Sequence, residues 1–325
     1  MPYALHIHLL AGVFAYRKNP MLIPYRQVSL PGENKLQILC SVMKKIIFIG
    51  CLALLSTFCT MAQQQPVYEV YALKYAALAR PTPVSDWVQD GPANDSINIA
   101  FMFWLIKGDN GKNILVDAGC SADLPNAVDF GLTAAMRPDS VLLQAGVKAE
   151  AVTDIIISHP HWDHINGISL FPNAQIWIQK EDYNYYVGQA WQKDANRGGF
   201  VKQDIITLVD LNVSGKVMLV NGDSKEIIPG ITVYTGSKHT YESQYVLVRS
   251  GKDRILIASD NVWVYDNLKR MLPPPSYGTY DAKAYVAAMQ RMKTLASETD
   301  FILPGHDEQL FSKFRHITER VVQIK

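Results

Sequence analysis

The sequence predicts an α/β domain in which two β-sheets pack together and are flanked by helices. Three observations carry this expectation. Consecutive β-rich runs come first, strand-like and helix-like segments then alternate, and the same order returns in the second half. Such an order buries one face of each sheet against the other and leaves the outer faces to helices.

The elements follow in order. "PVYEVYALKYA" (66–76), "INIAFMFWLIKG" (97–108) and "NILVDAG" (113–119) are rich in β-branched and aromatic residues and read as strands. "GDNG" (108–111) has the turn chemistry to join the last two as a hairpin. A helix is expected around 135–147, and "AVTDIIISH" then reads as a buried strand because its apolar run is unbroken. "AQIWIQ" (174–179) is a further strand and "KEDYNYYVGQAW" (180–191) a helix, whereas 192–216 reads as polar and irregular. Strands are expected near 217–220, 226–235, 244–249 and 254–259. "DAKAYVAAMQRMKTLASE" (281–298) puts Tyr285, Ala288, Met289 and Met292 on one helical face. "DFILPG" (300–305) is a last strand running into a turn. His316, in "SKFRHITER", is expected on a polar, solvated helix.

With 325 residues the chain holds one large or two small domains. Hydrophobic content of 48% and charged content of 19% describe an ordinary globular protein. A formal charge of +1 provides no general field for a nucleic-acid partner. From Met43 the chain reads "MKKIIFIGCLALLSTFCTMAQQQ". Lys44 and Lys45 precede an apolar run over 46–58, and Thr60-Met61-Ala62 offers small residues before Gln63, the pattern of a secretory signal peptide cleaved after Ala62. That run is shorter than the about 20 residues that span a bilayer, so no membrane insertion is expected after cleavage. A lipoprotein reading is weaker, since Cys51 lies early in the run and Cys59 follows bulky Phe58. Residues 1–42 are read as an extension ahead of a true start at Met43, 43–62 as the leader and 63–325 as the functional domain, periplasmic or secreted. Residues 1–62 hold six Lys or Arg and one Glu, so the rest carries 25 basic against 29 acidic residues, a charge of −4. Of the four cysteines only Cys120 lies beyond the leader, so this domain has no internal disulfide and must stand on its core or on a metal. Cys120 is expected to pack behind a sheet.

"HPHWDH" (159–164) places three histidines and an aspartate at one strand end. Side chains two apart in a strand share a face, so His159 and His161 can point the same way while Asp163 and His164 reach a neighbouring position. Imidazole nitrogen and carboxylate oxygen both ligate zinc, and one loop can therefore serve two adjacent ions. Three more ligand types stand at other strand ends: His239 after a glycine turn in "YTGSKHTYES", Asp260 in "ILIASDNVW" and His306 in "FILPGHDE". Alone, His239 or His306 reads as structural and Asp260 as a turn residue. The HxHxDH spacing has few structural reasons to exist and raises the others with it.

"VDAG" with Asp117 and Gly119, HPHWDH, the glycine-preceded His239, the strand-terminal Asp260 and "PGH" with His306 resemble, in order and spacing, the metallo-β-lactamase-fold hydrolases over roughly residues 67–315. The resemblance implies a four-layer αβ/βα sandwich. It implies two Zn(2+) ions, one held by His159, His161 and His239, the other by Asp163, His164 and His306, with Asp260 between them; iron or manganese also suits such donors. It makes Asp117 a support beneath the site rather than a ligand, and Trp162 packs.

A bridging aspartate at this point is absent from the true β-lactamases of the fold and present in glyoxalase II, the lactonases and related esterases. Glyoxalase II consumes a glutathione thioester in the cytoplasm, against the export signal, and the RNA- and DNA-processing branches carry added modules that this chain lacks. "VYALKYA", "FMFWLIKGDNGKNILVDAGC" and "ASDNVWVYDNL" are most similar to the N-acyl homoserine lactonase family. That implies a small-molecule lactone or ester substrate. The alternatives are β-lactams, phosphodiesters or sulfate esters, or a non-catalytic metal binder. The family carries a lactone-contacting Tyr three residues after the bridging Asp; this chain has Trp263 there and Tyr265 two later. An indole N–H still donates a hydrogen bond, and Tyr265 is the substitute; core packing is the other reading of both. Two zinc ions would bring a shared water toward ionisation at neutral pH, and its hydroxide would attack the ester carbonyl while Asp163 passes a proton to the leaving alkoxide. No Ser or Cys nucleophile is needed; "GISL" (167–170) is no nucleophile elbow. Tyr183, Tyr185, Tyr186, Trp191 and Phe200 are candidates for an acyl slot and Gly198-Gly199 for a lid hinge, with helix packing the plainer alternative.

Overall fold

The computed structural model describes residues 39–45 and 66–325. Contacts divide the chain after Gln64. Before that point only an exposed helix at 39–45 is described, so the extension expected over 1–42 and the leader over 43–62 otherwise lie outside the described residues. No helix among the described residues is long and apolar enough to cross a membrane.

The unit from Gln65 onward begins with strands β1 (Tyr68–Leu78), β2 (Thr82–Pro83), β3 (Ser96–Ile97), β4 (Ala100–Gly108), β5 (Asn113–Val116), β6 (Leu132–Thr133), β7 (Asp154–Ile156) and β8 (Gln175–Gln179). It continues with β9 (Val217–Val220), β10 (Lys225–Ile228), β11 (Ile231–Thr235), β12 (Gln244–Ser250), β13 (Asp253–Ser259), β14 (Ile302–Pro304), β15 (Arg315–His316) and β16 (Val321–Gln323). One sheet has the order β15-β16-β1-β4-β5-β7-β8-β9, the other β10-β11-β12-β13-β14. The β4–β5 turn bonds Gly108 N–H to Lys112 O at 2.8 Å, the hairpin that "GDNG" predicts. From β5 through β9 the pairing is parallel, as is β13 with β14.

The pleat decides which core each side chain joins. In β4, Met102, Trp104 and Ile106 enter the core between the sheets, while Phe101, Phe103 and Leu105 face outward. In β12 and β13, Val246, Val248, Ile255 and Ile257 meet them from the second sheet. Helices Pro138–Gln144, Lys180–Val187 and Lys202–Val213 cover the outer face of the first sheet through Val141, Leu142, Tyr186 and Leu208. Helix Ala282–Leu295 covers the second with Tyr285, Ala288, Met289 and Met292, the predicted face. Asp281 starts that helix by accepting the N–H groups of Lys283 and Ala284 at 2.9 and 3.0 Å, satisfying donors that the helix leaves free. The result is the four-layer αβ/βα sandwich.

Two expectations need correction. The stretch 192–216 is not irregular throughout, because Lys202–Val213 is helical. Its start has no capping side chain, since Val201 precedes it, and exposed Ile206 and Val213 blur the contrast with buried Leu208. His316 is exposed as expected but lies in β15, paired with Val322, because the chain turns back on itself after helix Gln309–Lys313.

Asp204 in the new helix is a buried acid with a consequence for stability. Its Oδ1 accepts Asn166 Nδ2 at 2.7 Å, but its Oδ2 has no partner. Burial pushes its carboxyl up from 3.8 to about 6. Between those values the native state holds a proton that the unfolded chain has lost, so this group lowers stability as pH rises through the window. Asp204→Asn keeps the acceptor and removes the charge. It is expected to gain up to about 3 kcal/mol at pH 8, each tenfold change in proton affinity being worth about 1.4 kcal/mol, and nothing at pH 4. Urea unfolding at the two pH values checks this.

Candidate metal centre

Every expected ligand stands just past the C-terminal end of a strand. β7 leads into His159 and His161, and a single helical turn, Trp162–Ile165, brings in Asp163 and His164 rather than a loop. His239 follows β11, Asp260 follows β13 and His306 follows β14. The structure brings all seven together. Three overlapping groups have their ligand atoms within 4.8 Å of one another: His159, His161 and His239; His159, His164 and Asp260; Asp163, His164 and His306.

The distances allow a test of fit. Ligand atoms about 2.1 Å from a tetrahedral ion lie about 3.4 Å from each other. His239 Nε2 is 3.2 Å from both His159 Nε2 and His161 Nδ1. His164 Nε2 is 3.2 Å from Asp163 Oδ2, and His306 Nε2 is 3.6 Å from the same oxygen. Asp260 faces both groups: Oδ1 lies 3.0 Å from His306 Nε2 and 3.4 Å from His164 Nε2, and Oδ2 lies 3.4 Å from His239 Nε2. His164 Nε2 and Asp260 Oδ1 are buried without a hydrogen-bond partner, which a cation between them would supply. The residues fit two divalent ions.

The far side of each ring fixes which nitrogen faces inward. His239 Nδ1 donates to Gly278 O at 2.7 Å and His306 Nδ1 to Ala100 O at 3.2 Å. A carbonyl only accepts, so each Nδ1 carries the proton and each Nε2 turns a lone pair to the centre. His164 Nδ1 pairs with Asp117 Oδ2 at 2.8 Å. Asp117, buried and at φ 64°, also accepts Ser158 N–H at 2.8 Å, Ser158 Oγ at 2.9 Å and Ser259 Oγ at 2.8 Å, joining the ends of β5, β7 and β13 beneath the site. It belongs to none of the three ligand groups.

Electrostatics divide the centre. Burial, reinforced by neighbouring imidazoles, pushes His159 and His161 down, His161 to about 3, and burial also lowers His239; these rings are neutral and ready to ligate. For His164 and His306, burial opposes charge but the surrounding carboxylates outweigh it and push both up. For Asp163 and Asp260, burial favours the neutral acid, but those histidines win and hold both low. In this half the carboxylates and imidazoles thus favour one another's charged forms.

A cavity of about 370 Å³ opens over the ligands. His161, Asp163, His239, Asp260 and His306 form its floor, and Trp87, Phe101, Phe130, Trp162, Trp263, Tyr277 and Tyr280 its aromatic walls, with Asn126 and Asn196 beside them. Trp263 lies in this wall and is also part of the buried core. It is 8% exposed, its Nε1 has no partner, and Trp87 packs edge-on at 5.5 Å. Tyr265 is not at this site. It opens helix Tyr265–Arg270, which turns away; its N–H bonds Asp307 Oδ2 at 2.9 Å, its ring lies under Lys313 Nζ, and it lines a different cleft. The acyl-slot candidates are also corrected. Tyr183, Tyr185, Tyr186 and Phe200 are buried in the outer core with Trp191 against it, and none lines the cavity. Gly198 and Gly199 do line it, and Gly199, at φ +78°, passes so close to His161 that a Cβ would sit 2.7 Å from the ring. Cys120 is buried, and burial pushes its thiol up to about 12.

Trp87, Phe130, Tyr277 and Tyr280 were not predicted as walls. Their signal is local: Trp87 is a lone aromatic amid turn residues, and Tyr277 and Tyr280 sit in "PPPSYGTY". Gly305 carries a further demand, since a Cβ there would fall on Asp260 Oδ1. Gly305→Ala is therefore expected to displace that carboxylate and to lower metal affinity by about 10–100-fold, the usual effect of disturbing a ligand's support. Metal content after dialysis, with thermal unfolding as the control for folding, checks this.

The sequence profile of the metallo-beta-lactamase superfamily matches residues 102–306. Among curated proteins, an N-acyl homoserine lactonase of Bacillus cereus is 25% identical over 170 residues, which are 52% of this chain and 61% of that protein. The chain thus spans under two thirds of that relative. Among solved structures, an AiiA mutant of Bacillus thuringiensis with N-decanoyl-L-homoserine bound at its active site superposes with a TM-score of 0.60 at 20% identity, covering 77% of this chain and 97% of that one. AidC, a dizinc quorum-quenching lactonase in complex with a product, gives a TM-score of 0.54 at 20% identity, covering 75% and 88%. At these identities the structures establish the fold.

Proposed function

The chain belongs to the metallo-beta-lactamase superfamily, and we propose that it is a metal-dependent hydrolase that opens a neutral lactone or ester, foremost an N-acyl homoserine lactone, at a centre of two divalent cations. One observation carries the choice of substrate. No Lys or Arg is among the described residues that line the cavity, whose walls are aromatic. Phosphodiesters, sulfate esters, β-lactam carboxylates and glutathione thioesters all bring anionic groups, and nothing beyond the metal floor offers them a cationic partner. A neutral lactone with an apolar acyl chain meets no such deficit. The lactonase names of the relatives support the same reading.

His159, His161 and His239 would hold one cation and Asp163, His164 and His306 the other, with Asp260 within reach of both. Zinc, iron and manganese all suit these nitrogen and oxygen donors. Bound there, the cations supply Lewis acidity toward water and toward the ester carbonyl. The chain's own residues do the rest. The aromatic walls seat the acyl chain and exclude bulk water. Trp263 contributes its ring to the cavity wall, and its Nε1 is buried without a partner. Asp163 lines the cavity, and its carboxylate would take the proton that the attacking water gives up and pass it to the departing alkoxide. We also place the enzyme outside the cytoplasm, with a leader over 43–62. N-terminal sequencing of exported protein should find Gln63 first, and a retained Met43 in it would contradict cleavage.

The test is a pH-stat comparison of the zinc-loaded enzyme on a medium-chain N-acyl homoserine lactone, a penicillin, a phosphodiester and an aryl sulfate. The expected result is a chelator-sensitive kcat/KM on the lactone above about 10⁴ M⁻¹s⁻¹, the low end of ordinary enzymes. Faster turnover of any of the three anionic substrates would overturn the assignment.

A further inference from the structure

One buried carboxylate ties the turn that carries His239 to the opposite half of the sandwich. Asp182, in helix Lys180–Val187 over the first sheet, is 1% exposed. Its Oδ2 accepts the Thr240 hydroxyl at 2.7 Å and its Oδ1 accepts the Glu242 N–H at 3.0 Å. Thr240 and Glu242 follow β11, in the second sheet. Burying a carboxylate is costly unless its oxygens are bonded, and here both oxygens are spent on this one turn. Asp182 does not line the cavity, so it has no contact with substrate.

The turn needs such ties. Lys238 sits at φ +59°, a left-handed conformation unfavourable for a residue with a Cβ. From one side Lys238 O accepts the Tyr280 N–H at 2.7 Å and Thr279 Oγ1 at 2.9 Å. From the other side Asp182 holds Thr240 and Glu242. Between these anchors His239 Nε2 must stand 3.2 Å from His159 Nε2 and His161 Nδ1, which belong to the first sheet's motif. The two sheets must therefore stay in register at this point, and Asp182 is a direct polar link across it.

We propose that Asp182 is a positioning residue for the His159–His161–His239 half of the centre, clamping the 238–242 turn so that His239 meets two imidazoles from the other sheet. This rests on the reading of the site as a two-cation centre. Losing Asp182 leaves the Thr240 hydroxyl and Glu242 N–H unpaired and frees the turn to relax, so His239 leaves its place. Asp163, His164 and His306 make no hydrogen bond to this turn, so the other half of the centre is reached from it only through Asp260 and is the less affected.

The test titrates the metal-free full-length chain with Co(II), followed by its visible absorption, for the wild type, Asp182→Ala and Asp182→Asn. The wild type is expected to bind two ions. Asp182→Ala should weaken one of the two by about 10–100-fold and leave the second less affected. Asp182→Asn, whose amide oxygen still accepts the Thr240 hydroxyl, should fall between. Thr240→Val, which deletes the same bond with little change of shape, must weaken the same ion if Asp182→Ala fails to fold. Unchanged affinities, or equal weakening of both ions, would overturn the proposal. A wild type that binds fewer than two ions would overturn the two-cation reading instead.

Discussion

Asp260→Ala is expected to reduce hydrolysis by about 10³-fold or more, because a direct ligand matters more than the supporting partners whose loss costs about 10–100-fold. Its carboxylate spans both groups: Oδ1 lies near His164 and His306, and Oδ2 lies 3.2 Å from His306 Nε2 and 3.4 Å from His239 Nε2. In the proposed two-cation centre, removing it would take a donor from both cations at once. It also removes one of the carboxylates that raise the proton affinity of His164 and His306. Metal content per chain should fall below two, and turnover on the lactone should be lost with it. His161→Ala removes a donor from one group only, so it should lose one ion first. Elemental analysis beside the pH-stat assay measures both variants, and full activity with full metal in either would contradict the ligand assignment.

Stripping the metals should cost the fold stability as well as activity. A ligand present at a thousand times its dissociation constant stabilises the native state by about 4 kcal/mol. For a domain of this size that corresponds to roughly 8–16 °C in Tm. The cost is limited because the metal-free centre still pairs Asp163 and Asp260 with His164 and His306. Collapse of the fold is therefore not expected. Circular dichroism melts with and without a chelator, followed by zinc add-back, check this. An unchanged Tm would mean that the seven residues bind no ion of consequence.

The candidate metal cluster was legible in the sequence because ligand-type side chains are few in kind and stand at strand ends. HxHxDH after an apolar strand has no common structural explanation, and it drew His239, Asp260 and His306 with it. The strands were legible because turn residues bound runs rich in β-branched and aromatic side chains, as in β4 and the β4–β5 turn. The substrate cavity was not. Its walls come from Trp87, Phe130, Tyr277 and Tyr280, far apart in the chain and placed by loops whose paths no periodicity encodes. Tyr265 shows the opposite error. Two residues from Trp263, it seemed able to replace it, yet the helix that starts there carries it to another cleft. Helix Lys202–Val213 was missed because it has no cap signal and exposes two apolar residues. Asp182 was hidden for a related reason: in sequence it is one charge in "KEDYNYY", and only the fold shows that it faces inward.

The most direct measurement titrates the metal-free enzyme with Zn(II) while the opening of an N-acyl homoserine lactone is followed by titrant uptake. The account predicts two ions bound per chain, with turnover that rises as the second is taken up. Saturation at one ion, or binding of two with the lactone left intact, would contradict it.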